Sequence, residues 1–168
     1  MSLTLSQKER MLLEDQKTHE QICIEKYSNY ANQATDPQLK EIFNTNGNAE
    51  KTHLNSINQL LNGTIPQMNQ QQNQNSQQSQ SSQQNTGNQS SNQVMNNTQS
   101  NGINLTDSDM CTDLLMTEKY VSGAYNTAIF EFRDPQVRDV LNHIQKEEQQ
   151  HGEAIFKYME SKGMYKVQ

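Results

Sequence analysis

Cysteine and proline are scarce, at two and three residues in 168, and only 31% of the chain is hydrophobic and 6% aromatic. The two cysteines, Cys23 and Cys111, lie far apart and in no metal-type spacing. They exclude a disulfide framework and read as two small buried thiols on apolar helix faces. No Lys/Arg run stands out and the net charge is −6. That argues against a nucleic-acid or anionic-membrane partner, because both need a concentrated basic surface. No apolar run is long enough to span a bilayer, and Met1–Glu9 has no apolar core of signal-peptide length. The expectation is a chain with no signal peptide and no transmembrane segment, made and kept inside a cell at least initially.

The apolar deficit is not spread evenly. From about Gln67 to Asn101 the sequence is almost entirely Gln, Asn and Ser. Such a stretch buries too little apolar surface to offset chain entropy, so residues 67–104 are expected to be a disordered tether. About 130 residues of ordinary amphipathic composition remain, enough for one small domain.

The flanks read as two helical hairpins, residues 1–66 and 105–168, that form one bundle. Ser6-Gln7-Lys8-Glu9 has the form of a capping box and starts a first helix that runs to about Ala34. Asp36-Pro37 stops it and starts a second, from about Pro37 to Leu61. Gly47 weakens that helix by about 1 kcal/mol relative to Ala. Thr106-Asp107-Ser108-Asp109 supplies caps for a third helix, from about Asp109 to Phe132. Asp134-Pro135 repeats the turn, and the fourth runs from about Pro135 to Lys162. The apolar stripes follow helical spacing throughout, and no strand alternation appears.

One pattern recurs inside these stripes. Glu50-Lys51-Thr52-His53 follows Glu20 by thirty residues, and Glu148-Gln149-Gln150-His151 follows Glu118 by thirty residues. An offset of ninety-eight maps Glu20, Tyr27, Glu50 and His53 onto Glu118, Tyr125, Glu148 and His151, and Asp36-Pro37 onto Asp134-Pro135. A carboxylate on an apolar stripe is costly unless paired or bound to metal. Glu20 lies sixteen residues before Asp36, and Glu50 and His53 lie fourteen and seventeen after it. At about 1.5 Å per residue, an antiparallel hairpin therefore brings all three to nearly one level. One Glu from each of two helices plus Glu-x-x-His from each of two others is the di-iron or di-manganese arrangement of ferritin-like bundles. Glu20, Glu50, His53, Glu118, Glu148 and His151 are thus candidate ligands for two iron or manganese ions, although a buried hydrogen-bonded network that fixes register, or the remnant of a lost site, fits them too. A tether of this length suits the long crossover of such bundles and would permit a homodimer with exchanged hairpins. Tyr27 and Tyr125 read as core tyrosines that hydrogen-bond. Glu147 points about 100° away from the stripe and reads as solvated. His19 and His143 lie off the stripe with no assigned role.

The second hairpin also carries a resemblance. Leu114-Leu115-Met116-Thr117-Glu118-Lys119-Tyr120, then Tyr125, Asp134-Pro135-Gln136-Val137-Arg138, and the ending Ile155-Phe156-Lys157-Tyr158-Met159-Glu160-Ser161-Lys162-Gly163-Met164-Tyr165 resemble the Coat F domain of spore coat proteins from endospore-forming Firmicutes. The resemblance covers about Asp107–Lys166 and is weaker over the first hairpin; Met164 stands where the family usually has Trp. It implies a ferritin-like all-α bundle, synthesis in the mother-cell cytoplasm, a place in the spore coat and other coat proteins as partners. It does not imply a settled enzymatic activity. Two readings therefore stand together: a coat component with a structural or protective role, and a two-metal centre with oxidase, peroxidase or catalase-type chemistry.

Overall fold

The computed structural model describes residues 3–67 and 105–167, which form four helices with no strand among them. Helix α1 spans Gln7–Gln33, α2 Pro37–Leu61, α3 Asp107–Ile129 and α4 Pro135–Ser161. The expected disorder of the Gln/Asn/Ser tether falls outside the described residues. No described helix is long and apolar enough to cross a membrane.

Local chemistry fixes the helix ends. The Ser6 hydroxyl accepts from the Glu9 amide while the Glu9 carboxylate accepts from the Ser6 amide at 2.7 Å, so two otherwise unpaired donors are satisfied reciprocally. Asp36 and Asp134 each accept, at 2.8 Å, from the amide two residues on, and the following proline sits at the first helical position. The third helix departs from expectation at both ends. Thr106 is its N-cap, in a capping box with Asp109, so the helix starts at Asp107 rather than Asp109. It ends at Ile129 rather than Phe132. The chain tightens into a turn there, the Glu131 amide bonding the Ala128 carbonyl at 2.9 Å. Arg138 then holds the Phe132 and Arg133 carbonyls, each at 2.9 Å, and Glu9 takes the Arg133 amide at 3.0 Å.

Helix α1 packs on α2 and α3, and α4 packs on α3 and α2. The directions follow from the contacts. Near the start of α1, the Leu3 amide meets the Gly63 carbonyl just beyond α2. At the other end of α1, Asp107 accepts from the Thr35 amide and hydroxyl at 2.9 and 2.7 Å. The end of α2 and the start of α3 thus lie at opposite ends of the bundle. Helices α2 and α3 run parallel, and a long connection between them is required. A 27-residue helix such as α1 is about 40 Å long at the standard rise.

The core is layered. One apolar cluster gathers Leu13, Ile57, Val121, Leu141 and Ile144 with their neighbours, and a second gathers Leu39, Phe43, Leu114, Ile155 and Tyr158 with theirs. On α1 the buried face includes Leu13, Glu20, Cys23, Tyr27 and Ala31, with Tyr30 only partly buried beside it. Gly47 is required rather than merely tolerated, because a Cβ there would lie 2.9 Å from Tyr27 Cβ on the packed α1. Between the two clusters in sequence position on α2, α3 and α4, and between Leu13 and Cys23 on α1, lies a charged layer.

Candidate metal centre

That layer consists of Glu20 from α1, Glu50 and His53 from α2, Glu118 from α3, and Glu148 and His151 from α4. Each is at most 6% exposed. The spacing that makes this possible is local: Glu and His three apart on a helix project from one face, and the Asp-Pro turns set the level.

The geometry follows the internal duplication. His53 Nδ1 lies 3.0 Å from Glu148, and His151 Nδ1 lies 3.0 Å from Glu50. Under the ninety-eight-residue offset, these two contacts exchange. The Tyr27 hydroxyl donates to Glu118 and the Tyr125 hydroxyl donates to Glu20, a second exchanging pair. Asn46 in turn donates to the Tyr27 hydroxyl at 3.2 Å. The two imidazoles stack at the centre, centroids 5.6 Å apart and planes 22° apart.

Two overlapping ligand sets result. Glu20, Glu50, His53 and Glu148 offer donor atoms within 4.8 Å of one another, and so do Glu50, Glu118, Glu148 and His151. Glu50 and Glu148 belong to both. A carboxylate has two oxygens and can bridge two cations, so the shared members are the chemically suitable ones. Glu20 with His53, and Glu118 with His151, are the members particular to each set and would complete the two positions if cations were held there.

The layer holds more acceptors than its neutral or charged imidazoles can pair. Among the described residues, Glu20 Oε2, Glu118 Oε2 and both Glu148 oxygens are buried without a hydrogen-bond partner. His53 Nδ1 is 3.0 Å from Glu148, 3.1 Å from Glu50 and 3.6 Å from Glu20, yet it carries at most one proton. Buried acceptors left unpaired are costly. Divalent cations would satisfy these oxygens together, and carboxyl protons on Glu20 and Glu118, shared with Glu50 and Glu148, would satisfy part of them without metal.

Electrostatics give the metal-free layer a way to stay folded. Burial pushes the Glu20 carboxyl up to about 8. Burial and the adjacent Glu148 hold Glu118 well above the usual carboxylate range. Burial also opposes ionisation of Glu148, but its contacts with His151 and His53 outweigh this and hold it at about 2. Glu50 is lowered by the same two histidines against the same burial. Burial disfavours the charged form of His151, yet Glu148 and Glu50 raise it to about 9, and His53 is raised by Glu147, Glu148, Glu20 and Glu50. These shifts favour the charged form of both imidazoles against Glu50, Glu148 and Glu147, and the neutral form of Glu20 and Glu118.

Sequence reasoning missed Glu147. Its carboxylate lies 2.8 Å from His53 Nε2 and 3.5 Å from His143 Nε2, and it is half-buried rather than solvated. The offset places Ala49 at the corresponding position, so the duplication gave no signal for it. The available signal was His143 four residues before Glu147 on the same face. His19 contacts Gln16 and Tyr120, away from the layer.

Residues 106–168 match the family model of the Coat F domain. The match covers α3 and α4, and so three of the six residues in the layer. Searches of curated proteins and of solved structures found no match. Met164 packs against the Tyr27–Phe43 end of the core, and Tyr165 meets Phe156 edge-on with centroids 5.0 Å apart.

Proposed function

We propose that this chain, whose second hairpin is a Coat F domain, is a spore coat protein built as a ferritin-like bundle around a two-metal centre, and that its role in the coat is protective. The Coat F match supports the coat. The observation that supports the metal is the layer itself: six buried ligand-type residues in two overlapping sets, with four carboxylate oxygens unpaired among the described residues.

Glu20, Glu50, His53, Glu118, Glu148 and His151 would hold the ions. Mixed carboxylate and imidazole donors suit iron or manganese. Such a pair supplies redox chemistry towards dioxygen or peroxide, and this would join the enzymatic reading to protection of the spore. The protein's own contributions are more specific. The tyrosine hydroxyls orient the terminal carboxylates from outside, Glu147 orients His53, and the apolar clusters exclude water.

Thermal melting with and without chelator tests the metal reading. Metal that binds only the folded state raises the melting temperature, and chelator lowers it. Glu148→Gln should lose both metal and that chelator-sensitive increment. If Glu148→Gln melts at or above the wild-type temperature and chelator changes neither protein, the layer is a structural network and the metal reading fails. Absence of the protein from the coat fraction of purified spores would remove the coat assignment.

A further inference from the structure

The outer surface of α1 and α3 differs from that of α2 and α4. Among the described residues, the exposed large hydrophobics Met11, Ile22, Met116, Tyr120 and Phe130 lie on α1, on α3 or at the residue that closes α3, and none lies on α2 or α4. The other two, Tyr165 and Val167, follow α4. The five share a side. Met11 and Ile22 are eleven residues apart, three turns plus about 20°, and Met116 and Phe130 are fourteen apart, four turns less about 40°. All five turn away from the buried stripes that carry Glu20 and Glu118.

Their levels divide them into two groups. Helices α1 and α3 are antiparallel: Lys8 meets Glu131 at 2.6 Å at one end, and Lys26 meets Asp113 at 2.8 Å towards the other. Met11 and Phe130 lie beside the first contact and protrude, at 62% and 82% exposure. Ile22, Met116 and Tyr120 lie near the second, around a groove of about 300 Å³ whose lining includes the buried Cys23 and Val121. Eleven residues of helix separate the two groups, about 16 Å along α1. One face therefore carries an apolar protrusion at one end and an apolar groove at the other.

We propose that the α1–α3 face is an interface between two copies of the chain, in which the Met11–Phe130 protrusion of each copy enters the groove of the other. Three features favour a second copy as the occupant. A two-fold axis across the face, midway between protrusion and groove, exchanges them, and an isologous contact requires that kind of self-complementarity. Area is the second. At about 200 Å² for a fully exposed large side chain, the five leave on the order of 600 Å² in water, against the roughly 800 Å² per partner of a standard interface. So large a patch of apolar surface is rarely left bare on a monomer. Charge is the third. The ion pairs at the two ends, Lys8 with Glu131 and Lys26 with Asp113, close within one chain. They do not set one sign of charge against its own copy.

Light scattering of the full chain across a concentration series tests this. Wild type should reach the mass of two copies by about 100 μM, the weak end for a contact of this size. Ile22→Glu and Phe130→Glu alter exposed positions on different helices, so each should keep the wild-type helix content while its dimer weakens at least about tenfold. Val167→Glu, exposed but off the face, should dimerise as wild type does. Mixing Phe130→Glu with Tyr120→Lys tests the arrangement: a mixed dimer has one native contact and one of opposite charge, and should form where neither variant pairs with itself. A wild type that stays monomeric throughout overturns the proposal. So does a dimer that survives both glutamate substitutions, because exchanged hairpins or another surface then hold it. Failure of the mixed dimer to form overturns the exchange of protrusion and groove.

Discussion

Individual residues carry separable roles, and Glu9 illustrates the structural kind. It is buried, completes the cap of α1, and receives the Arg133 side chain at 3.0 Å across the bundle. The hydrogen bond from Arg133 is the largest influence on it and, against burial, holds its carboxyl at about 2 rather than 4.5. The folded value is depressed, so its contribution is full above about pH 4.5 and is lost as pH falls towards 2. Glu9→Gln should cost on the order of 1 kcal/mol at neutral pH. Melting curves of the two proteins should converge between pH 4.5 and 2; a gap that persists unchanged into that acid range would contradict the assignment. Glu147 illustrates the positioning kind. Glu147→Ala should weaken one of two metal-binding events by about 10–100-fold, the usual effect of removing an outer partner of a ligating histidine, and leave the other unchanged. A metal titration that weakens both equally would show that Glu147 acts on the layer as a whole.

At the scale of elements, the two hairpins are copies whose ends have diverged. Both use an Asp-Pro turn, but Asp36 also accepts from the Tyr158 hydroxyl at 3.0 Å and pairs with Lys162 at 2.8 Å. Asp134→Ala should therefore cost about what a lost cap costs, roughly 1 kcal/mol, and Asp36→Ala more. Equal losses in denaturant unfolding would mean that the Tyr158 and Lys162 contacts add nothing. Gly47→Ala is a sharper case. Propensity alone predicts a gain of about 1 kcal/mol, whereas the 2.9 Å approach to Tyr27 predicts a loss; a raised melting temperature would show that α1 yields easily. These elements also mark what the sequence made legible. Helical periodicity, the caps and the Asp-Pro turns placed all four helices, because each is a local signal. The early end of α3 was not legible, because Arg138 and Glu9 hold that turn from outside the helix. Gly47 read as a weakness for the same reason: its justification lies on another helix.

For the molecule as a whole, the six-residue layer was legible because a carboxylate at a core position is anomalous and the anomaly occurred twice at one spacing. What the duplication could not reveal was its own asymmetry. Glu147 has no counterpart in the first hairpin, where Ala49 stands, so repetition hid the feature that distinguishes the two halves of the layer. The charge balance also belongs at this scale. Metal held by the layer would displace protons from its imidazoles and carboxyls, so affinity should rise with pH and metal should be released as pH falls.

The most direct measurement is the metal content of the full chain, purified without a metal-binding tag and reconstituted with iron or manganese. The account predicts two ions per chain for the wild type, a number fixed by the two overlapping ligand sets, and loss of both in Glu148→Gln, which removes a ligand the two positions share. A wild-type protein that stays substoichiometric after reconstitution would contradict it.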